Sequence, residues 1–434
     1  MPTHSSSPSS LWIVVAALVC AAGTWTYAER VLIPYQVADA AAHGRPRGNL
    51  SDLYPRWLGA RELLLHGRDP YSAEVTREIQ EGYYGRPLDR ARAGEPRDEE
   101  RFAYPVYVAF VLAPTVRAPF AAVETAFFWV LLLLTLGSAW LWMRLLGWRC
   151  EWPVHATVLL LTAGSLAVMQ GVKLQQMTLL VAAMIAAAVY LLTRKYPVPA
   201  GILLGFATIK PQLAAPLLLW LAIWTLADLR WRWRWLASFA ATMGVLCAAS
   251  ERLLPHWLAR FWQALGAYER YTGAVGVLEK LVGAAAGRAL EAVALAVTLA
   301  VCWKERRVTA ESRNFAVVVS MILACTVLLA PTYAEYNQVL LLPAVLVIFE
   351  QRGELWRRGA ASRVLLAVTA ALLCWPWISG VALAACSLLL GELAVEGGWA
   401  APFWTALLVP VGVAAVMLIC EARRSFAAAR ADAS

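Results

Sequence analysis

The chain has 434 residues, of which 60% are hydrophobic and only 15% charged. It is too apolar for a soluble globular domain. Its net charge of +9 is expected of a helical membrane protein, whose basic residues gather in cytoplasmic loops, and does not call for nucleic acid.

Many windows of roughly 17–25 apolar residues recur, the length a helix needs to cross a bilayer. The long unbroken runs lack the alternation of a membrane β-barrel. The expected fold is therefore all-α and polytopic, a single integral membrane domain over residues 1–434. Most of the cysteines (Cys20, Cys247, Cys302, Cys325, Cys374) lie inside apolar stretches, and no CxxC pair or HExxH occurs. Neither a disulfide framework nor a metal site is indicated, and no cofactor is expected. Residues 1–10 lack Lys and Arg, so the first apolar run, 11–31, reads as a retained span rather than a signal peptide.

A polar segment follows over about 32–103, and with the short helix after it makes a large first outer loop, 32–122. Its centre is residues 51–71, SDLYPRWLGARELLLHGRDPY. Residues 57–65 read as a short amphipathic helix, and Gly67 with Asp69-Pro70 punctuates its end. Residues 102–120 hold an apolar piece between Pro105 and Pro114 that is too short to cross and reads as a surface or re-entrant helix. Spans are expected near 123–143, 154–170 and 176–193. Residues 199–227 are apolar but broken at Lys210-Pro211 and Pro216. The alternation Arg230-Trp231-Arg232-Trp233-Arg234-Trp235 reads as an interfacial belt. Residues 251–287 form an amphipathic outer loop, with Trp257, Phe261, Trp262 and Leu265 at helical spacing. Further spans are expected near 235–250, 286–303, 314–330, 333–350, 363–380 and 403–420, with 381–395 ambiguous. The total is about ten to twelve crossings. Placing the basic loops in the cytoplasm puts Asp52 outside. The Ser-rich start and the last few residues are expected to fray.

Few residues can carry chemistry. Asp52, at the mouth of the first span, reads either as a general base or, with Ser51, as a helix N-cap. Asp69 and Tyr71 in Asp-Pro-Tyr read as a turn or as ligand contacts. Lys210 is the strongest signal. A lysine in an apolar stretch is costly unless paired or hydrated, and Pro211 frees a backbone carbonyl beside it. A cation there suits an anionic group such as a lipid phosphate; the alternative is a lysine snorkelling from a hairpin tip. Gln170, Lys173, Gln175 and Gln176 sit in a short turn that could bind sugar hydroxyls or simply be hydrated. After Pro331, Glu335 could be a second acid or an ion-pair partner of Lys210 or an arginine. Tyr333 and Tyr336 could stack on a sugar or sit in an aromatic belt, and Asn337 follows them.

Several motifs come in a telling order: Asp52, then Tyr54-x-x-x-x-Gly59-Ala60-Arg61-x-Leu63-Leu64 and Gly67-x-Asp69-Pro70-Tyr71; Phe102-x-Tyr104-Pro105; Gly201-x-Leu203-Leu204-Gly205-x-Ala207-Thr208-x-Lys210-Pro211; and Ala330-Pro331 before Leu340-Leu341-Leu342-Pro343-Ala344. Together they resemble the membrane glycosyltransferases of family 87, in the GT-C class, over about residues 10 to 350. The resemblance implies a multi-span hexosyltransferase of the cell envelope in a bacterial-type cytoplasmic membrane. It would take a sugar, often mannose, from a polyprenyl-phosphate donor to a lipid or glycan acceptor on the outer face, with no metal or nucleotide. It implies Asp52 as base, Lys210 on donor phosphate, and Tyr104 in the Phe-x-Tyr-Pro motif near substrate. Two departures stand out. Tyr336 and Asn337 replace a histidine common after Pro331, and an Asn-Ser element is missing from 272–287. A transporter or lipid flippase, which would also break a helix at Lys210, and an inactive scaffold are the competing readings.

Overall fold

A computed structural model describes residues 8–431 except 46–49, 90, 93 and 274, with backbone alone for 8–10, 393 and 421–431. The Ser-rich start and the last residues, 432–434, thus fall largely outside the described residues. So does Ala274 in the segment where the Asn-Ser element is missing.

Among the described residues the chain is all-helical, with no strand. Helix α1 (Pro8–Tyr27) continues through a π-turn (Ala28–Leu32) into α2 (Ile33–Ala42). The π-turn lies just ahead of Pro34, whose missing N–H removes one bond of the preceding turn. The first span therefore does not end near residue 31: one apolar helix covers Leu11–Ala42. The first loop carries α3 (Leu53–His66), α4 (Ala73–Tyr84) and the Pro-bounded α5 (Val108–Leu112) with its 3-10 turn Ala113–Thr115. Gly67 ends α3 at φ 64°, a left-handed cap that suits glycine.

Helix α6 (Phe120–Leu145) is long and unbroken through its apolar run. The expected span at 154–170 is broken instead. Helices α7 (Trp152–Ala163) and α8 (Leu166–Lys173) meet at 54°. The break falls at Gly164, where a Cβ would lie 2.4 Å from Ala21 Cα, so α1 packs directly on the bend. Helix α9 (Met177–Thr193) follows. The stretch at 199–227 is interrupted where its prolines indicate, giving α10 (Pro197–Ala207) and α11 (Pro211–Leu226).

Next come α12 (Leu229–Leu253), the amphipathic α13 (Trp257–Thr272), α14 (Val277–Val282), α15 (Ala284–Lys304) and α16 (Arg313–Leu328). A 3-10 helix (Glu335–Leu341) leads into α17 (Leu342–Arg357). Helix α18 (Ala360–Leu390) absorbs most of the ambiguous 381–395 as one 31-residue helix, before α19 (Glu392–Val395). Helix α20 (Val409–Ala431) starts later than 403, because residues 401–403 form a 3-10 turn around Pro402. The Arg-Trp alternation is only partly a belt. Trp233 is exposed, but Arg232 and Trp235 are buried, and Arg232 donates to the carbonyls of Trp224 and Val308.

Among the described residues, four helices are long and apolar enough to cross a membrane: Leu11–Ala42, Phe120–Leu145, Ala284–Arg307 and Ala360–Leu390. The bent α7–α8 pair would make a fifth. The other apolar segments fall into shorter helices, among them α9, α10, α11 and α16. The ten to twelve crossings expected from apolar windows thus divide into a few full-length helices and several short ones. Helix α16 is the buried extreme of the short ones. Every residue from Phe315 to Leu328 is buried, as in a helix that is apolar all round. The long helices are the reverse, with apolar side chains such as Trp129, Leu133, Val293 and Leu389 exposed outward, as lipid contact demands. The protein is a multi-pass helical membrane protein.

Candidate functional site

The site is built from three chain reversals. The first is the head of α3. Asp52 occupies the cap position, but its backbone is helical (φ −62°, ψ −10°) and its side chain makes no cap bond. A capping residue needs extended backbone to turn its oxygen onto the helix N–H groups. The capping alternative is therefore not what the carboxylate does, and it is left to face the bundle.

The second reversal ends α8. The Gln176 N–H donates to the Gly171 carbonyl at 2.7 Å and the Gln175 N–H to Val172 at 3.1 Å. This is the Schellman pattern. Gln175 takes its left-handed position (φ 45°), usually glycine's, and its side-chain Nε2 bonds back to the Val172 carbonyl at 2.8 Å. Gln175 is thus the hinge of the turn, and Gln176 heads α9 with its amide turned inward.

The third reversal is the break between α10 and α11. Three successive turn bonds, from Thr208, Ile209 and Lys210 N–H groups to Gly205, Phe206 and Ala207, tighten the end of α10. Pro211 then begins α11, where its missing N–H costs nothing. The residue before a proline is pushed out of the helical region, and Lys210 adopts φ −121°, ψ 81°. The Tyr107 hydroxyl holds the turn through the Thr208 carbonyl at 2.9 Å.

These reversals converge on one hydrogen-bonded chain. Gln176 Nε2 donates to Asp52 Oδ2. Gln176 Oε1 accepts from Lys210 Nζ at 2.7 Å. Lys210 Nζ also donates to Thr178 Oγ1 at 2.7 Å, and Thr178 donates to Asn337 Oδ1 at 3.0 Å. The ammonium lies 5.0 Å from the Tyr336 ring centre and 5.8 Å from that of Tyr104. Lys210 is only 7% exposed. Two oxygen acceptors and two aromatic faces offset what burying this cation would otherwise cost. It does not snorkel.

A second charged layer surrounds Asp52. Arg56 Nη1 donates to the Asp52 carbonyl at 2.8 Å, lies over the Tyr104 ring and pairs with Glu100 at 3.7 Å. Burial pushes the Glu100 carboxyl well above the usual carboxylate range, and the nearby Asp98 and Asp52 charges push the same way. Burial likewise raises Asp98. Tyr268 and Tyr271 of α13 stand close enough to feel these charges.

The other residues singled out from the sequence are further from this chain. Asp69 Oδ1 accepts from the Tyr71 N–H at 2.9 Å, an Asx turn, and its other oxygen pairs with Arg260 on α13. Tyr71 donates to the Tyr104 carbonyl at 2.6 Å, so it positions Tyr104. The Tyr333 hydroxyl meets the Glu335 carboxylate, and Lys280 lies 4.8 Å from the Tyr333 ring. Glu335 therefore keeps company with Lys280, not with Lys210 or an arginine. Lys173 reaches Gln36 at 2.6 Å.

Arg56, Glu100, Asp98, Thr178 and the two α13 tyrosines were not singled out. Arg56 had a signal: it lies four residues after Asp52, on the same helical face. Glu100 was one of many charges in the polar segment 32–103, with nothing local to set it apart.

A groove of about 760 Å³, lined mainly by α7, α17 and α18, is mostly apolar. It includes none of the Asp52–Lys210 chain, which is identified by chemistry rather than by volume.

The description of glycosyltransferase family 87 matches residues 102–332, just over half of the chain. That stretch includes Tyr104, Gln176, Thr178 and Lys210, while Asp52 and Asn337 lie outside it. No curated protein and no solved structure matches. With a helical membrane bundle and this match, the chain belongs to glycosyltransferase family 87 and is a membrane glycosyltransferase.

Proposed function

We propose that the chain transfers a hexose, mannose or a close relative, from a polyprenyl-phosphate donor to a lipid or glycan acceptor. In this reading it lies in a bacterial-type cytoplasmic membrane with its reaction centre outside. The observation that carries the reading is the Asp52–Gln176–Lys210 chain, a carboxylate and an ammonium held one amide apart.

Each end has a task. Asp52 takes the proton of the acceptor hydroxyl as that oxygen attacks the anomeric carbon. The bond from that carbon to the phosphate oxygen breaks, and the polyprenyl phosphate departs with the electron pair. Its growing charge falls to Lys210, already desolvated and aimed by Gln176 and Thr178. A single displacement of this kind inverts the sugar carbon. Tyr104 and Tyr336, whose rings flank Lys210, offer faces for the sugar, and Asn337 and Gln176 offer amides for its hydroxyls. Asp69, Tyr71, Gln175, Tyr333 and Glu335 support the walls of this centre in the same reading. Family membership favours transfer over transport for the broken helix at Lys210.

The test is direct. Purified protein is given labelled polyprenyl-phosphate sugars and membrane lipid extract, and mass spectrometry follows the label. A product heavier by one hexose is expected from wild type and not from Asp52→Asn. Equal product from both would reject Asp52 as base, and label from no polyprenyl-phosphate donor would reject the donor class.

A further inference from the structure

The apolar groove against α7 is not accounted for by the reaction centre. It has a neighbour of about 660 Å³ between α17 and α18, and the two share Val345, Phe349, Arg352 and Leu373. The pair thus forms a forked apolar surface with one arginine at the fork. Arg149 lines the first branch and Arg357 the second. Neither has an ion-pair partner among the described residues, and Arg352 contacts only Phe349, donating to its carbonyl and lying over its ring. The one carboxylate at the rim, Glu350, is occupied by Arg313 at 2.6 Å. Trp148 also lines the first branch, and its indole N–H is buried without a partner among the described residues.

This basic rim lies at the far end of the bundle from Asp52 and Lys210. Helix α6 shows it. Phe120 at its start packs on Tyr54 and Trp57 of α3, beside Asp52. Arg149 follows its other end, and 26 helical residues span about 39 Å. That exceeds the roughly 30 Å hydrocarbon core of a bilayer. A lipid whose headgroup sits on Arg149, Arg352 and Arg357 therefore belongs to the leaflet opposite the reaction centre. The 3-10 helix Glu335–Leu341 also intervenes: Tyr336 faces Lys210 while Gln338 and Leu341 face the groove.

We propose that this forked groove is a binding site for a two-chain anionic phospholipid of the leaflet opposite the donor. One acyl chain lies in each branch. The phosphate and an anionic headgroup meet the three guanidinium groups, and the Trp148 N–H meets an ester carbonyl. The site would fix the α7–α8 bend and α17 against α18, behind the 3-10 helix that carries Asn337. The proposal does not depend on which sugar or donor the enzyme uses.

The test is native mass spectrometry of the full-length protein, released from detergent after incubation with dioleoyl phosphatidylglycerol or dioleoyl phosphatidylcholine. Wild type is expected to retain one phosphatidylglycerol and little phosphatidylcholine. Retention should fall roughly five-fold for each arginine removed in Arg149→Gln, Arg352→Gln and Arg357→Gln. Val345→Trp, which fills the fork, should abolish retention with all three arginines present; monodispersity and thermal unfolding check that each variant is folded. Equal retention of both lipids, or undiminished retention in the triple arginine variant, would overturn the proposal. So would displacement of the lipid by a polyprenyl phosphate that Lys210→Met no longer allows, because the groove would then hold the donor's tail.

Discussion

At the residue scale the proposed chemistry rests on one amide, that of Gln176, which bonds both Asp52 and Lys210. Removing the carboxylate's basicity with Asp52→Asn should cost about 10²–10⁴-fold in turnover, measured as initial rate with saturating donor, with expression and monodispersity unchanged. Gln176 is a positioning residue, and its signature differs. Gln176→Leu leaves Lys210 short of one acceptor and Asp52 short of its donor, a loss of about 1.5–3 kcal/mol for a bond to a charged group. A fall in kcat of roughly 10–100-fold is expected, with a smaller change in donor KM; an unchanged kcat would show that the bridge is idle. Lys210 was legible in the sequence because an ionisable group is expensive in an apolar stretch, and Asp52 stood out by its place at the mouth of the first span. Gln176 was visible only as one of several polar residues in a turn, since its partners lie 124 and 34 positions away. Nothing local says that a Schellman turn will aim one glutamine of a pair inward and spend the other on its own cap.

At the scale of elements, the position of Lys210 depends on how closely α10 lies against α12. A Cβ on Gly201 would fall 2.0 Å from Ser238 Oγ and 2.3 Å from the Trp235 carbonyl, and one on Gly205 would fall 2.7 Å from Thr242 Cγ2. Gly201→Val must push α10 outward. A destabilisation of about 1–3 kcal/mol is expected, read as a lower melting temperature together with lost activity. The break itself was legible from Lys210-Pro211, but the bend between α7 and α8 was not. Gly164 sits within an apolar run, and only the approach of Ala21 makes it a corner. The first loop carries its own pH dependence. Glu100 and Asp98 have folded pKa values raised above their ordinary ones. The stability they contribute is therefore full below about pH 4 and falls as pH rises through the raised values. Glu100→Gln should flatten that decline between pH 4.5 and 8 in thermal unfolding, whatever its effect on the absolute melting temperature; a slope equal to that of wild type would count against the burial of the charge.

At the scale of the whole molecule, a few long helices turn apolar side chains outward while the short α16 is buried throughout. Apolar windows revealed that there were many hydrophobic segments, but not which were full crossings. Helix α16 and helix α18 look alike in composition, and burial separates them: the first is hidden throughout, the second exposes Leu388, Leu389 and Leu390. Orientation is testable through Cys150, which is exposed beside Arg149 at the basic end. In intact cells a membrane-impermeant maleimide should leave Cys150 unlabelled until the membrane is permeabilised, with Cys150→Ser as control. Labelling in intact cells would invert the bundle and bring the Asp52 face to the cytoplasm.

The ion pair between Asp69 and Arg260 ties the first loop to α13, and its side chains are 26% and 38% exposed. Tyr268 and Tyr271 ride on that same helix. Two walls of the reaction centre are thus latched by a bond that dissolved electrolyte can reach and weaken. An acceptor arriving from the aqueous side would meet a doorway whose looseness follows the salinity of the solution it faces. Arg260→Ala should prop it open, and the salt dependence of acceptor KM should vanish with it.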